Sequence, residues 1–152
     1  MSENHAGNII ISLASLPDFL RTPILKKRME EFYTMSVPDR QEIINNALEA
    51  GHTIPFPNFS KLFATWLGIL ATISEEKRRI MFSTYLSEIT KNPQKIVPFN
   101  LDGILEIFLS MEKPKQDAIL GTIREIILGL SEDDRKRLLL VMPQSAKARL
   151  GI

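Results

Sequence analysis

Residues 59–73 read Phe59-Ser60-Lys61-Leu62-Phe63-Ala64-Thr65-Trp66-Leu67-Gly68-Ile69-Leu70-Ala71-Thr72-Ile73. The large apolar side chains, Phe59, Leu62, Phe63, Trp66, Leu67, Leu70 and Ile73, follow one another at steps of three or one. That spacing places them on one stripe of a helix and excludes the alternation a half-buried strand requires. The same template recurs on both sides of this stretch. It fits Leu25, Met29, Phe32 and Tyr33, then Ile43, Ile44, Ala47 and Leu48, then Met81, Phe82, Tyr85, Leu86 and Ile89. It fits again over Leu101–Met111 and Ile119–Leu130. The β-branched run Ile9-Ile10-Ile11 is three residues long, too short for a strand reading. The chain is therefore expected to be all-α, with about seven to eight helices.

Punctuation between the stripes agrees. Ser36, Ser74 and Ser131 each precede acids in a first turn, where a hydroxyl can accept from an orphan N–H and the helix dipole favours negative charge. Pro23 and Pro114 fall where a missing N–H costs nothing, and Gly51 and Gly129 fall at helix ends. An aliphatic residue or Met followed by Pro occurs at Leu16-Pro17, Ile54-Pro55, Val97-Pro98 and Met142-Pro143. The prolines are 38, 43 and 45 residues apart. A period near 40 built of two helices is the sign of stacked hairpins. The expected organisation is a polar, flexible tail over residues 1–8 and one helical domain over 9–152. Its repeat-like units would be 17–54, 55–97 and 98–142, with a C-terminal cap at 143–152. Antiparallel hairpins stacked as a short α-solenoid, or an irregular helical bundle, both satisfy this pattern.

The segment Ser36-Val37-Pro38-Asp39-Arg40-Gln41-Glu42-Ile43-Ile44-Asn45-Asn46-Ala47-Leu48 resembles the second helix of HEAT-type repeats. The resemblance covers one helix well and implies an architecture of stacked helix pairs, not an activity.

Composition excludes several function classes. The 152 residues contain no Cys, which removes disulfide scaffolds, thiolate metal sites and thiol nucleophiles, and fits a cytoplasmic protein. The densest apolar run, Leu138 to Met142, is far short of a membrane span, and no basic secretory leader precedes Ile9. Lys+Arg and Asp+Glu number 19 and 18, so any electrostatic partner must be recognised locally. The two histidines, His5 and His52, have no second His or Cys at ligand spacing. Phosphate-loop and nucleophile-elbow motifs are absent. Acid pairs at Glu30-Glu31, Glu75-Glu76 and Glu132-Asp133-Asp134 do not project from apolar stripes as catalytic carboxylates of bundles do, and Glu106 is read as exposed. Neither catalytic residues nor a cofactor or metal is expected.

What remains is surface. Lys77, Arg78 and Arg79 form a basic triplet inside residues 55–97, which carry six cations against three acids. If hairpins stack, Arg40, Arg78, Lys115 and Arg135 would line one ridge able to track a polyanion. Cations in a first turn oppose the helix dipole, so something else must hold them there. Phe56 and Phe99, in matched Pro-Phe corners, would either plug gaps between hairpins or offer an apolar patch. The function this supports is a non-enzymatic interaction or adaptor module that binds a protein partner through its concave face or those corners. The alternatives are an electrostatic binder of nucleic acid or another polyanion, and an enzyme or ligand carrier with a site between helices. Oligomeric state is left open.

Overall fold

The computed structural model describes residues 5–151, and among these it contains nine α-helices, one short 3-10 turn and no strand. The helices are α1 (His5–Ala14), α2 (Asp18–Tyr33), α3 (Val37–Gly51), α4 (Phe56–Thr72), α5 (Glu75–Lys91), α6 (Leu101–Leu109), α7 (Lys113–Leu128), α8 (Glu132–Val141) and α9 (Gln144–Leu150). The 3-10 turn, Pro93–Ile96, lies between α5 and α6. The all-α expectation holds, with a count close to the one the stripes suggest. Of the expected tail, residues 5–8 belong to α1 and residues 1–4 lie outside the described ones. The isoleucine run is helical because α1 lays Leu13 and Ala14 into the core, with Ile9 and Ile10 packed beside them.

The serine caps form as their chemistry demands. Ser36 Oγ accepts from Asp39 N at 3.3 Å, Ser74 Oγ from Lys77 N at 3.3 Å and Ser131 Oγ from Asp134 N at 3.2 Å. Removing such a cap costs about 1 kcal/mol. Placing the caps in order reveals a regularity that the Pro-Phe corners obscure. Helices α2, α3, α4 and α5 begin after Pro17, Ser36, Pro55 and Ser74, at intervals of 19 residues. The same step leads to Pro93 at the 3-10 turn, then to Glu112 before α7 and Ser131 before α8. Pro93, not Pro98, therefore occupies the third proline position of the series. The helix expected there is divided into the 3-10 turn and α6, which displaces the corner by five residues.

Helices of like parity are neighbours. Helices α1, α3, α5, α7 and α9 touch in that order, while α2 packs on α4, α4 on α6, and α8 on the 3-10 turn. Contacts of α1 with α4, α2 with α5, α4 with α7 and α5 with α8 join the two layers. One continuous apolar cluster runs between them, including Leu25 of α2, Leu70 of α4, Ile119 of α7 and Leu138 of α8. Leu70 is fully buried, a contribution of about 2 kcal/mol by transfer alone. No helix is long and apolar enough to cross a membrane among the described residues.

Candidate functional site

The expected basic ridge resolves into two kinds of cation. Arg78 is only 8% exposed; its Nε donates to Leu70 O and its Nη2 to Ile73 O, each at 2.9 Å. Its third donor group, Nη1, reaches Thr122 Oγ1 of α7 at 3.4 Å. Arg21 is 1% exposed and repeats the device: Nη1 donates to Leu16 O at 2.6 Å, Nε to Thr65 Oγ1 of α4 at 3.2 Å, and Nη2 pairs with Asp18. In both cases the hydroxyl lies 44 residues further along the chain. Arg40 donates to Met35 O at 2.9 Å, Gln116 to Met111 O at 2.7 Å, and Arg135 to Leu130 O at 3.5 Å and Leu128 O at 3.0 Å.

Each of these side chains therefore reaches back five residues to the carbonyl that ends the preceding turn. They stand on the same 19-residue register as the caps. The carbonyls reached five residues back lie just beyond a helix end, and those of Leu70, Leu109 and Leu128 lie in the last helical turn, where intrahelical donors run out. A guanidinium offers several donors in a fixed fork, which suits this task better than an ammonium. That is the reason for cations in first turns. It also means that Arg40, Arg78 and Arg135 turn toward backbone carbonyls, and that the buried Arg78 presents little surface to a partner. Lys115, one position before the clamp residue Gln116, is partly exposed and makes no ion pair among the described residues.

The neighbours of Arg78 point outward and are neutralised within the chain. Lys77 Nζ lies 2.8 Å from Glu30 Oε2 and 5.6 Å from the centre of the Tyr33 ring. Arg79 pairs with Glu125 and, at 3.4 Å, with Glu75. Its hydrogen bond to Glu125 is the main cause of a guanidinium pKa raised above its ordinary value.

The Pro-Phe corners close inward. The Phe56 ring stacks on Phe59 at 6.0 Å, and Phe99 meets Phe59 at 5.7 Å. Each ring also rests on a glycine. A Cβ on Gly103 would come within 2.4 Å of Phe56 Cζ, and one on Gly51 within 3.0 Å of Phe99 Cε1. Phe56 and Phe99 are thus half-buried plugs between helices. His52, exposed, packs edge-on against Phe99 at 5.9 Å, while the His5 side chain lies outside the described residues.

Behind these plugs the layers enclose a half-open cavity of about 550 Å³. It draws walls from α1 through α7. An aromatic ladder runs along it: Phe59 to Phe63 at 5.5 Å, Phe63 to Trp66 at 5.5 Å, and Trp66 to Tyr85 at 5.3 Å. The stripe of residues 59–73 that reads as plain core thus leaves Phe59, Phe63 and Trp66 only partly buried, facing this space. The polar side-chain groups on the lining are few. They belong to Trp66, Tyr85 and the Arg28–Glu31 pair, whose closest atoms are 3.4 Å apart. Burial pushes the Tyr85 hydroxyl well above the usual tyrosine range. It stays protonated at neutral pH.

A separate polar cluster joins α3, α5 and the 3-10 turn. Asn45 Nδ2 donates to Glu88 Oε1 at 2.7 Å, Lys91 Nζ to Glu88 Oε2 at 3.0 Å, and Lys95 Nζ to Asn45 Oδ1 at 2.5 Å. Burial raises the pKa of Glu88, but the hydrogen bonds from Asn45 and Lys91 and the charges of Lys91 and Lys95 outweigh it, so the carboxyl is held below its ordinary range. Every partner here is supplied from within the chain. Glu106 is exposed, as its position on the helix wheel implies. No group of three or more His, Cys, Asp or Glu side chains that could hold a metal occurs among the described residues.

The signal for the arginine clamps is present in the sequence as Arg at 21, 40, 78 and 135, though periodicity of apolar residues alone passes over it. The cavity has no counterpart signal, since a residue that lines a space and one that fills it share the same stripe. No protein-family model, no curated protein and no solved structure matches this chain.

Proposed function

We propose that this protein is a non-enzymatic helical-repeat binding module whose interior cavity holds a small apolar molecule. The carrying observation is the cavity of about 550 Å³, lined by aliphatic and aromatic side chains with a few hydrogen-bonding groups on its wall. Its size and lining are those of ligand sites, which enclose about 300–1,000 Å³ of largely apolar space with few polar groups. Several of its walls, including Leu13, Ile44, Leu62 and Met81, belong to the buried core. A partner's helix has no access to such walls, whereas a compact ring compound or short acyl chain does. A binding rather than catalytic role is supported by the lining itself, which is aliphatic and aromatic and holds no nucleophile–base pair among the described residues.

The 19-residue recurrence of caps and clamps supports stacked helix pairs of the HEAT-like kind. A cytoplasmic location rests on the cysteine-free composition. The polyanion reading draws little from Lys77, Arg78 and Arg79, which are paired or buried within the chain. Binding of a protein partner, the other half of the module reading, falls to a different face of the molecule.

Trp66 is the single tryptophan and sits on the cavity wall. Titration with N-phenyl-1-naphthylamine, an uncharged apolar fluorophore, is expected to give saturable probe emission with energy transfer from Trp66. Filling variants Ala47→Leu and Ile104→Phe are expected to abolish the signal while circular dichroism stays native. Absence of saturable emission, or equal emission in natively folded filling variants, would refute the reading.

A further inference from the structure

We infer that a second site, an open groove on the opposite side of α4 from the aromatic ladder, docks an acidic helical segment of a partner protein. The groove, about 670 Å³, is walled by α2, α4 and the start of α7. Each wall contributes one lysine: Lys26 from α2, Lys61 from α4 and Lys115 from α7. Elsewhere Arg28, Lys77, Arg79, Lys91, Lys113 and Lys136 are matched to carboxylates of this chain, whereas Lys27, Arg124, Arg137, Lys147 and Arg149 are not matched among the described residues, so what sets the groove lysines apart is that they share one lining. Lys26, Lys61 and Lys115 form no ion pair among the described residues. The one acid on the lining, Asp18, is already engaged by Arg21. Three lysines converging from three helices, with no internal counter-charge, leave a local positive field that an anionic partner completes.

The shape chooses among anionic partners. The groove follows α4 from Ser60 to Thr72, a rise of about 18 Å, which matches three turns of a docked helix. Its floor at Ala64 and Gly68 is shallow in side-chain atoms; a Cβ built on Gly68 meets nothing within 4 Å. A helix backbone can therefore approach closely, with its acids splayed toward the flanking lysines, the helix-in-groove mode of recognition. A nucleic acid strand fits less well, because no aromatic side chain on the lining offers a face for base stacking. The inference stands apart from the cavity reading, since the two sites have different linings and need different probes.

The probe is a fluorescein-labelled, 16-residue helical peptide with Glu and Ala on one face, read by anisotropy at low salt, beside a Lys/Ala peptide and a single-stranded DNA of similar length. Saturable binding of the Glu peptide is expected. Reversing Lys26→Glu, Lys61→Glu and Lys115→Glu together should weaken it by more than roughly tenfold and transfer preference to the Lys/Ala peptide. Gly68→Leu, which fills the floor without altering charge, should weaken Glu-peptide binding by roughly tenfold while the apolar fluorophore still enters the cavity. No saturable binding at millimolar peptide, indifference to Gly68→Leu, or tighter binding of DNA through the same lysines would each overturn the proposal.

Discussion

Helix starts in this protein are anchored in two ways. At α2 and α5 a buried arginine ties the preceding turn to a threonine of the next helix in its layer. At α4 and α6 the anchor is aromatic: Phe56 rests on Gly103, and Phe99 rests on Gly51. In the 19-residue register the positions equivalent to the arginines are Phe59 and Val97, so the polar clamp is absent where the rings take over. The polar anchor is directional and carries several donors, and it demands that every partner be present. The aromatic anchor demands close backbone approach and therefore glycine. The clamps are also unequal among themselves, because Arg40 and Arg135 keep a buried Nε without a partner while Arg21 and Arg78 do not.

The largest effect is expected at Arg78. Arg78→Ala strips donors from two carbonyls and a threonine inside the fold, and should lower stability by about 3–5 kcal/mol in urea or thermal unfolding. A loss below about 1 kcal/mol would show the clamp to be ornamental, and Arg40→Ala should cost less because its guanidinium makes fewer bonds. Next comes the aromatic anchor. Gly103→Ala should destabilise by about 1–3 kcal/mol through overpacking against Phe56 and the capping side chain of Asn100, with only the Phe56 share of that loss recovered in the Phe56→Ala background. Additive losses in that double-mutant cycle would break the proposed contact.

A pH titration separates both anchors from the Glu88 cluster. The folded pKa of Glu88 lies below its unfolded value, so its contribution is full above the ordinary carboxylate range and fades as pH falls through the lowered folded pKa. Glu88→Gln should therefore flatten the acid limb of the stability profile, and an unchanged limb would count against it. The smallest effect belongs to the exposed pair Lys77–Glu30. Lys77→Ala should change stability by about 0.2–1 kcal/mol, shrinking with added salt, although the largest of these losses is expected at its neighbour Arg78.

That contrast between adjacent residues marks where reading the chain reaches its end. The serine caps at 36, 74 and 131 were legible because capping is local: a hydroxyl and an N–H three residues away meet whatever the rest of the molecule does. Inward plugging by Phe56 and Phe99 is one of two outcomes open to the Pro-Phe corners, and only the position of Gly103 and Gly51 in space selects it. Lys77, Arg78 and Arg79 look alike as a basic triplet, yet a helix turns successive residues by about 100°, so one enters the fold while its neighbours meet solvent and carboxylates. Lys115 was expected on a ridge with Arg40, Arg78 and Arg135. It instead shares a groove with Lys26 and Lys61, residues far from it in sequence.

The amino-acid order by itself determined an all-helical chain, because apolar spacing and cap chemistry act over three or four residues. It likewise removed thiol chemistry, since a residue type that is missing has no tertiary remedy. Which helices became neighbours, which arginines were buried, and where the layers failed to close on one another were decided only by packing. Those outcomes depend on the summed volumes and directions of side chains far apart in the chain, as with the Arg21–Thr65 and Arg78–Thr122 bonds, each between residues 44 apart. A cavity is what that sum leaves unfilled, and no single residue along the chain encodes it.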